Sequence, residues 1–250
     1  MTPDSLTPVT ALAIPGALLI ASVLWAGVRR GIGVLGLAPD RRASLLVRTG
    51  ALLGGWLVLA FWFGAAGVYR TTESALPALL LAIAVVLPIA TGLTIVRTST
   101  TARDILAATP QHLLIGVQVY RVLGAVFLVL LAQGRVPGAF ANPAGWGDVL
   151  VGLSAPLVAW LYRTDAARWH GLAVLWNVFG LADLGVAIAL GVLTAPGGLQ
   201  RFAFDAPNSL IASFPLVLIP TVLVPISILL HLLSLRQLRR ESARHQLAAA

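Results

Sequence analysis

The sequence predicts an all-α integral membrane protein: a single bundle of about seven transmembrane helices over residues 1–250, N-terminus outside and C-terminus cytoplasmic. Three observations predict it. The chain is 58% hydrophobic and only 10% charged, at a mean hydropathy of +0.92, whereas a soluble domain carries about a quarter charged residues. Seven apolar runs lie near 9–28, 45–67, 77–97, 113–132, 145–162, 169–192 and 209–234. Each approaches the roughly 20 residues that cross a hydrocarbon core about 30 Å thick. Finally, arginine falls almost entirely on one set of connecting loops, and that set is expected to face the cytoplasm. It holds Arg29, Arg30, Arg41, Arg42, Arg48, Arg97, Arg103, Arg163, Arg168, Arg236, Arg239, Arg240 and Arg244, against Arg70, Arg135 and Arg201 on the other.

Composition also excludes. All basic residues are arginine, for a net charge of +8. Without lysine there is no amine for a retinal Schiff base, and without cysteine there is no disulfide, thiolate metal site or cysteine nucleophile. No extramembrane domain is expected to present the charge to nucleic acid. The absence of lysine beside abundant Ala, Leu, Gly and Arg is typical of a GC-rich bacterial genome, so a bacterial inner membrane is the expected location.

The first run follows Met1–Pro8, which carries Asp4 and no basic residue. A secretory signal starts with a basic region, so a retained helix is expected. In the second run Gly50 and Gly54 have the small-xxx-small spacing that lets membrane helices approach closely. The third contains VVLPIATGLTIVR and the seventh TVLVPISILLHLLSLR, a similarity that suggests a 3+1+3 arrangement of repeats. Between the third and fourth runs, Thr101–Ala108 reads as a short interfacial helix, with Thr101 and Asp104 at capping-box spacing. None of the first three runs carries a charge in its core.

The next three do. The fourth carries Arg121 near its middle, the fifth Asp148 in its outer third, and the sixth Asp183 slightly outside its middle. Charges at membrane depth are costly and seek partners inside the bundle. Helical periodicity puts each on a small or polar stripe: Gln111, Gln118, Arg121, Ala125 and Ala132; Gly145, Asp148, Gly152, Ala155 and Ala159; Ala173, Trp176, Gly180, Asp183 and Ala187. At 1.5 Å per residue, Arg121 lies roughly 12 Å and Asp183 roughly 20 Å from the inner edge. An Arg121–Asp183 ion pair is expected, with Asp148 completing it or facing an aqueous pocket. Gln118, Tyr120, Trp176 and Asn177 are polar or aromatic neighbours suited to an organic ligand.

Two Gly/Pro-rich loops, Gln133–Trp146 and Thr194–Ser209, are candidates for dipping back over an outer vestibule. The seventh run is interrupted by Pro215, Pro220 and Pro225, which free the carbonyls of Ile211, Leu216 and Thr221. Such breaks build the sites of many transporters. His112, His170 and His231 are placed near the cytoplasmic boundary, where three imidazoles at one level would suit a metal. No HExxH, phosphate loop or nucleophile elbow accompanies them, so neither metal nor cofactor is expected.

The leading expectation is therefore a small-solute binding or transport protein with a buried Arg/Asp site among the fourth to seventh helices. It would handle a solute, proton or cation. A non-catalytic subunit or assembly factor of a larger membrane complex comes second, with membrane-protein partners or copies of itself. Third is a membrane enzyme acting on a lipid or quinone through the inner-face histidines. Catalysis is the less expected outcome.

Overall fold

The computed structural model describes residues 7–70 and 76–249, with side chains through Ala243. The leading residues that bear on a retained first helix, Asp4 included, lie outside the described residues. Seven helices are long and apolar enough to cross a membrane, and the described residues contain no strand.

Helix α1 (Pro8–Val34) begins with proline at its first position. Thr7 caps it through a reciprocal pair: its hydroxyl accepts from Thr10 N (3.4 Å) while Thr10 Oγ1 accepts from Thr7 N (2.9 Å). Helix α2 (Pro39–Ala65) again opens on proline, with Asp40 in the first turn where the helix dipole favours an anion. Helix α3 (Leu76–Thr98) contains Pro88 and carries Arg97 in its last turn. The short α4 (Thr100–Ala108) forms over the expected segment, between α3 and α5. Its cap, however, is Ser99, whose hydroxyl accepts from Ala102 N at 3.2 Å, and not Thr101.

Helix α5 (Gln111–Ala132) departs from the expected regular helix. It is α-helical over Gln111–Gly116, 3-10 over Val117–Gly124 and α-helical again over Ala125–Ala132. Eight residues is long for a 3-10 segment. At three residues per turn, Gln118, Arg121 and Gly124 stand directly above one another.

Helix α6 (Gly138–Thr164) starts seven residues before its predicted first residue, Gly145. Most of the expected loop Gln133–Trp146 is therefore helical, and only Gln133–Pro137 connects the helices. Pro137 precedes the first turn, and buried Phe140, Ala141 and Ala144 hold that turn against the bundle. The ring of Phe140 meets that of Phe127 edge-on at 5.0 Å. Helix α7 (Ala166–Thr194) is capped by Asp165, which accepts from Arg168 N at 3.0 Å. The loop after Thr194 is irregular, with Phe202 and Phe204 exposed.

The last span is Ile219–Ala243 rather than 209–234. Residues 213–217 are not helical; a π-turn, Ile219–Leu223, leads into α8 (Val224–Ala249). Pro215 thus precedes the span, Pro220 opens it, and Pro225 is the second residue of α8. Near a helix start the missing proline N–H costs little. The Leu216 carbonyl expected to be freed accepts from Ile219 N at 2.9 Å.

α5 and α8 form the centre of the bundle; half of each span's most apolar stretch is buried, against 6% for α2 and 11% for α3. α6 packs most extensively, along α7 and the middle of α5. α3 reaches α8 where Gly92 lies against Leu229. In α2, Gly50 admits the Trp25 indole, whereas nothing lies over Gly54.

A candidate site: the buried Arg121 cluster

Arg121 is 3% exposed at mid-length of α5. It lies on the row set by the 3-10 geometry, which turns its side chain toward α6 and α7. Its Nε donates to Asp148 Oδ1 at 2.8 Å, and its Nη2 donates to Asp183 Oδ2. Its Nη1 reaches the Gly180 carbonyl and His231 Nε2, each at 3.2 Å. One guanidinium therefore ties together α5, α6, α7 and α8.

The levels agree. Arg121, Asp148 and Asp183 each stand ten or eleven residues from the helix ends at Ala132, Gly138 and Thr194. Asp148 lies deeper than its expected outer-third position because α6 begins earlier.

His231 is fully buried and belongs to this cluster, not to a boundary group of histidines. Its depth follows from the span it occupies: it stands midway along Ile219–Ala243. His170 is elsewhere, against the Leu238 carbonyl (3.2 Å) and Ser242. Hydrogen-bond roles fix the His231 tautomer. A guanidinium N–H only donates, so Nε2 accepts. Nδ1 then carries the proton and donates to Asn177 Oδ1 at 2.9 Å. Asn177 in turn donates through Nδ2 to the Ala173 carbonyl at 2.8 Å. The imidazole is neutral in this arrangement.

Glycines make the cluster possible. A methyl group at Gly124 would collide with the Asp148 carboxylate, one at Gly147 with that of Asp183, and one at Gly180 with the His231 ring. Gly124 and Gly147 also belong to the site and are not among the expected residues; in the sequence Gly124 lies three residues after Arg121 and Gly147 adjoins Asp148.

The other candidate residues divide. Gln118 and Ser227 exchange two hydrogen bonds: Gln118 Nε2 donates to the Ser227 carbonyl (3.1 Å), and Ser227 Oγ donates to Gln118 Oε1 (2.7 Å). Tyr120 donates to the Leu223 carbonyl at 2.9 Å, beside the turn that Pro225 interrupts. Both lock α5 to α8. The Trp176 ring lies 5.1 Å from that of His231, and its Nε1 donates to Ser154 Oγ at 2.9 Å. Trp146 is exposed and takes no part, and Pro215 lies outside the cluster.

A void of about 20 Å³ touches Tyr120, Arg121, Gly124, Asp148 and Ser227, room for one water and too small for an organic ligand. With both acids ionised and the imidazole neutral, the cluster carries a net charge of −1. Asp148 Oδ2 and Asp183 Oδ1 receive no hydrogen bond from the described residues. The arrangement has the chemistry to take up one proton or one small cation.

A family model described as Domain of unknown function (DUF8737) matches residues 78–239. The chain belongs to that family. The DUF8737 segment begins inside α3 and runs into the arginine-bearing end of α8, so it contains the whole Arg121 cluster. No curated protein and no solved structure matches the chain.

Proposed function

We propose that this chain is a polytopic protein of a bacterial cytoplasmic membrane that binds, and by binding moves, a proton or a small inorganic cation. One observation carries the reading: two mid-depth carboxylates share a single guanidinium, beside a neutral histidine. An unbalanced charge at that depth is expensive, and a captured proton or cation removes the imbalance. The size of the void favours such a solute over an organic one. In this reading Asp148 and Asp183 are the acceptor groups, Arg121 is their fixed counter-charge, and His231 with Asn177 holds the guanidinium in place. The thirteen arginines of one set of loops face the cytoplasm, as the positive-inside rule requires.

The test is flux into proteoliposomes that contain a pH-sensitive dye, with a potassium diffusion potential imposed and sodium or potassium varied. The chain is expected to support proton or cation movement, and Asp183→Asn to abolish it while the thermal melt stays cooperative. Equal flux from the intact chain and Asp183→Asn overturns the reading.

A second reading, a non-catalytic subunit of a membrane complex, is favoured by α2 and α3, whose apolar faces are almost wholly uncovered. A membrane protein that co-purifies stoichiometrically and protects a cysteine introduced by Gly54→Cys from a thiol label would support it.

A further inference from the structure

Five of the arginines at the arginine-bearing end of the bundle converge instead of spreading around it. Arg236, Arg239 and Arg240 line one groove of α8, of about 430 Å³, together with Leu232, Leu235 and Ala243. Arg97, at the end of α3, and Arg103, on α4, lie near enough to act electrostatically on Arg236. Arg103 is held there by its bond to the Arg97 carbonyl at 2.7 Å, and α3 and α4 both pack on α8. Five like charges crowd together, yet among the described residues none of them has a carboxylate within ion-pair distance; both ion pairs found belong to Arg121.

The walls differ by depth. Arg239 and Arg240 are exposed at the rim, while Leu232 and Leu235 lie about one turn farther into the bundle. Guanidinium groups bind phosphate oxygens in pairs, and a leucine wall below them suits an acyl chain. A free phosphate ion would use only the upper half of the groove.

We infer that the groove along α8, flanked by the arginines of α3 and α4, is a binding site for one anionic phospholipid. Its phosphate sits among Arg97, Arg103, Arg236, Arg239 and Arg240, and its acyl chain lies along Leu232 and Leu235. Basic pockets between membrane helices bind anionic headgroups by this chemistry. The inference needs the membrane reading but not the cation chemistry at Arg121, since the two sites share no residue.

The test is native mass spectrometry of the full chain in detergent, offered equimolar phosphatidylglycerol and phosphatidylcholine. One phosphatidylglycerol per chain should be retained in preference. The triple variant Arg236→Gln, Arg239→Gln, Arg240→Gln should bind it on the order of a hundredfold more weakly, from roughly a fivefold contribution per arginine. Arg29→Gln, Arg30→Gln, Arg163→Gln removes the same charge elsewhere at that end and should retain the lipid. Equal retention of both lipids, or equal loss in the two triple variants, overturns the site. Displacement of the lipid by millimolar inorganic phosphate overturns the lipid as occupant in favour of a free anion. A cooperative melt in both variants separates loss of binding from loss of fold, and proton or cation flux through the triple variant separates this site from the one at Arg121.

Discussion

Helices α1 to α3 and helices α5 to α8 are equally able to cross a membrane, but they hold themselves together differently. The first three offer apolar faces and small contact points, such as Gly50 under Trp25. The last four are joined by polar bonds at depth: Arg121 to four partners, Gln118 to Ser227, Tyr120 to Leu223, and Gln111 Nε2 to Ser234 Oγ at 2.6 Å. Apolar packing in lipid tolerates sliding and exchange of side chains. A buried charge tolerates neither, because each unmet partner keeps its full desolvation penalty. The DUF8737 match leaves out α1 and α2 but takes in α3 together with every residue of the polar network.

The comparison breaks most sharply at Arg121. Arg121→Gln should destabilise the chain by about 3–5 kcal/mol, since it strands two carboxylates and an imidazole nitrogen. The check is the thermal melting midpoint in detergent. Arg121→Lys should recover little, because an ammonium cannot span four acceptors in a plane. Combining Arg121→Gln with Asp183→Asn should cost less than the two singles together by about 0.5–3 kcal/mol; strict additivity would show that the pair is not coupled. Gly147→Ala comes next, at about 1–3 kcal/mol, because its methyl group displaces the Asp183 carboxylate. Asn177→Leu should cost a similar 1–3 kcal/mol by leaving the His231 Nδ1–H without an acceptor, with the imidazole NMR shift reporting the lost bond. Tyr120→Phe removes one helix–helix hydrogen bond, worth about 0.6 kcal/mol in membranes. In the apolar half, Gly54→Ala should change the midpoint by less than about 0.5 kcal/mol, since its space is open. A large effect there would mean that α2 is covered by another chain.

The sequence made the seven apolar spans legible because hydropathy depends on composition alone. The stripes bearing Arg121, Asp148 and Asp183 were legible too, because small residues recur with the charges. Depth was not. Pro137 and Pro143 read as loop residues, so α6 was begun late and Asp148 was placed too far out. The apolar residues from Ser209 onward count into the last run, with the three prolines as breaks inside it, which leaves His231 near the far end; the span itself is Ile219–Ala243 and continues through Arg236–Arg240. Apolar character ends before helical structure does, so a helix that continues past its apolar stretch into arginines reads as a helix that has stopped. The 3-10 stretch was also hidden, since VQVYRVLG has no residue that forbids an ordinary α-helix.

That stretch has a mechanical consequence. A 3-10 helix rises about 2.0 Å per residue and an α-helix 1.5 Å, so the eight residues Val117–Gly124 are stretched by about 4 Å relative to α geometry. Rewinding them would also fan out Gln118, Arg121 and Gly124 by about 60° per step, since three α residues turn through about 300°. Rewinding would therefore take Gln118, Arg121 and Gly124 off their common row. The ion pairs of Arg121 with Asp148 and Asp183 are made in the 3-10 geometry and so favour it over the rewound one.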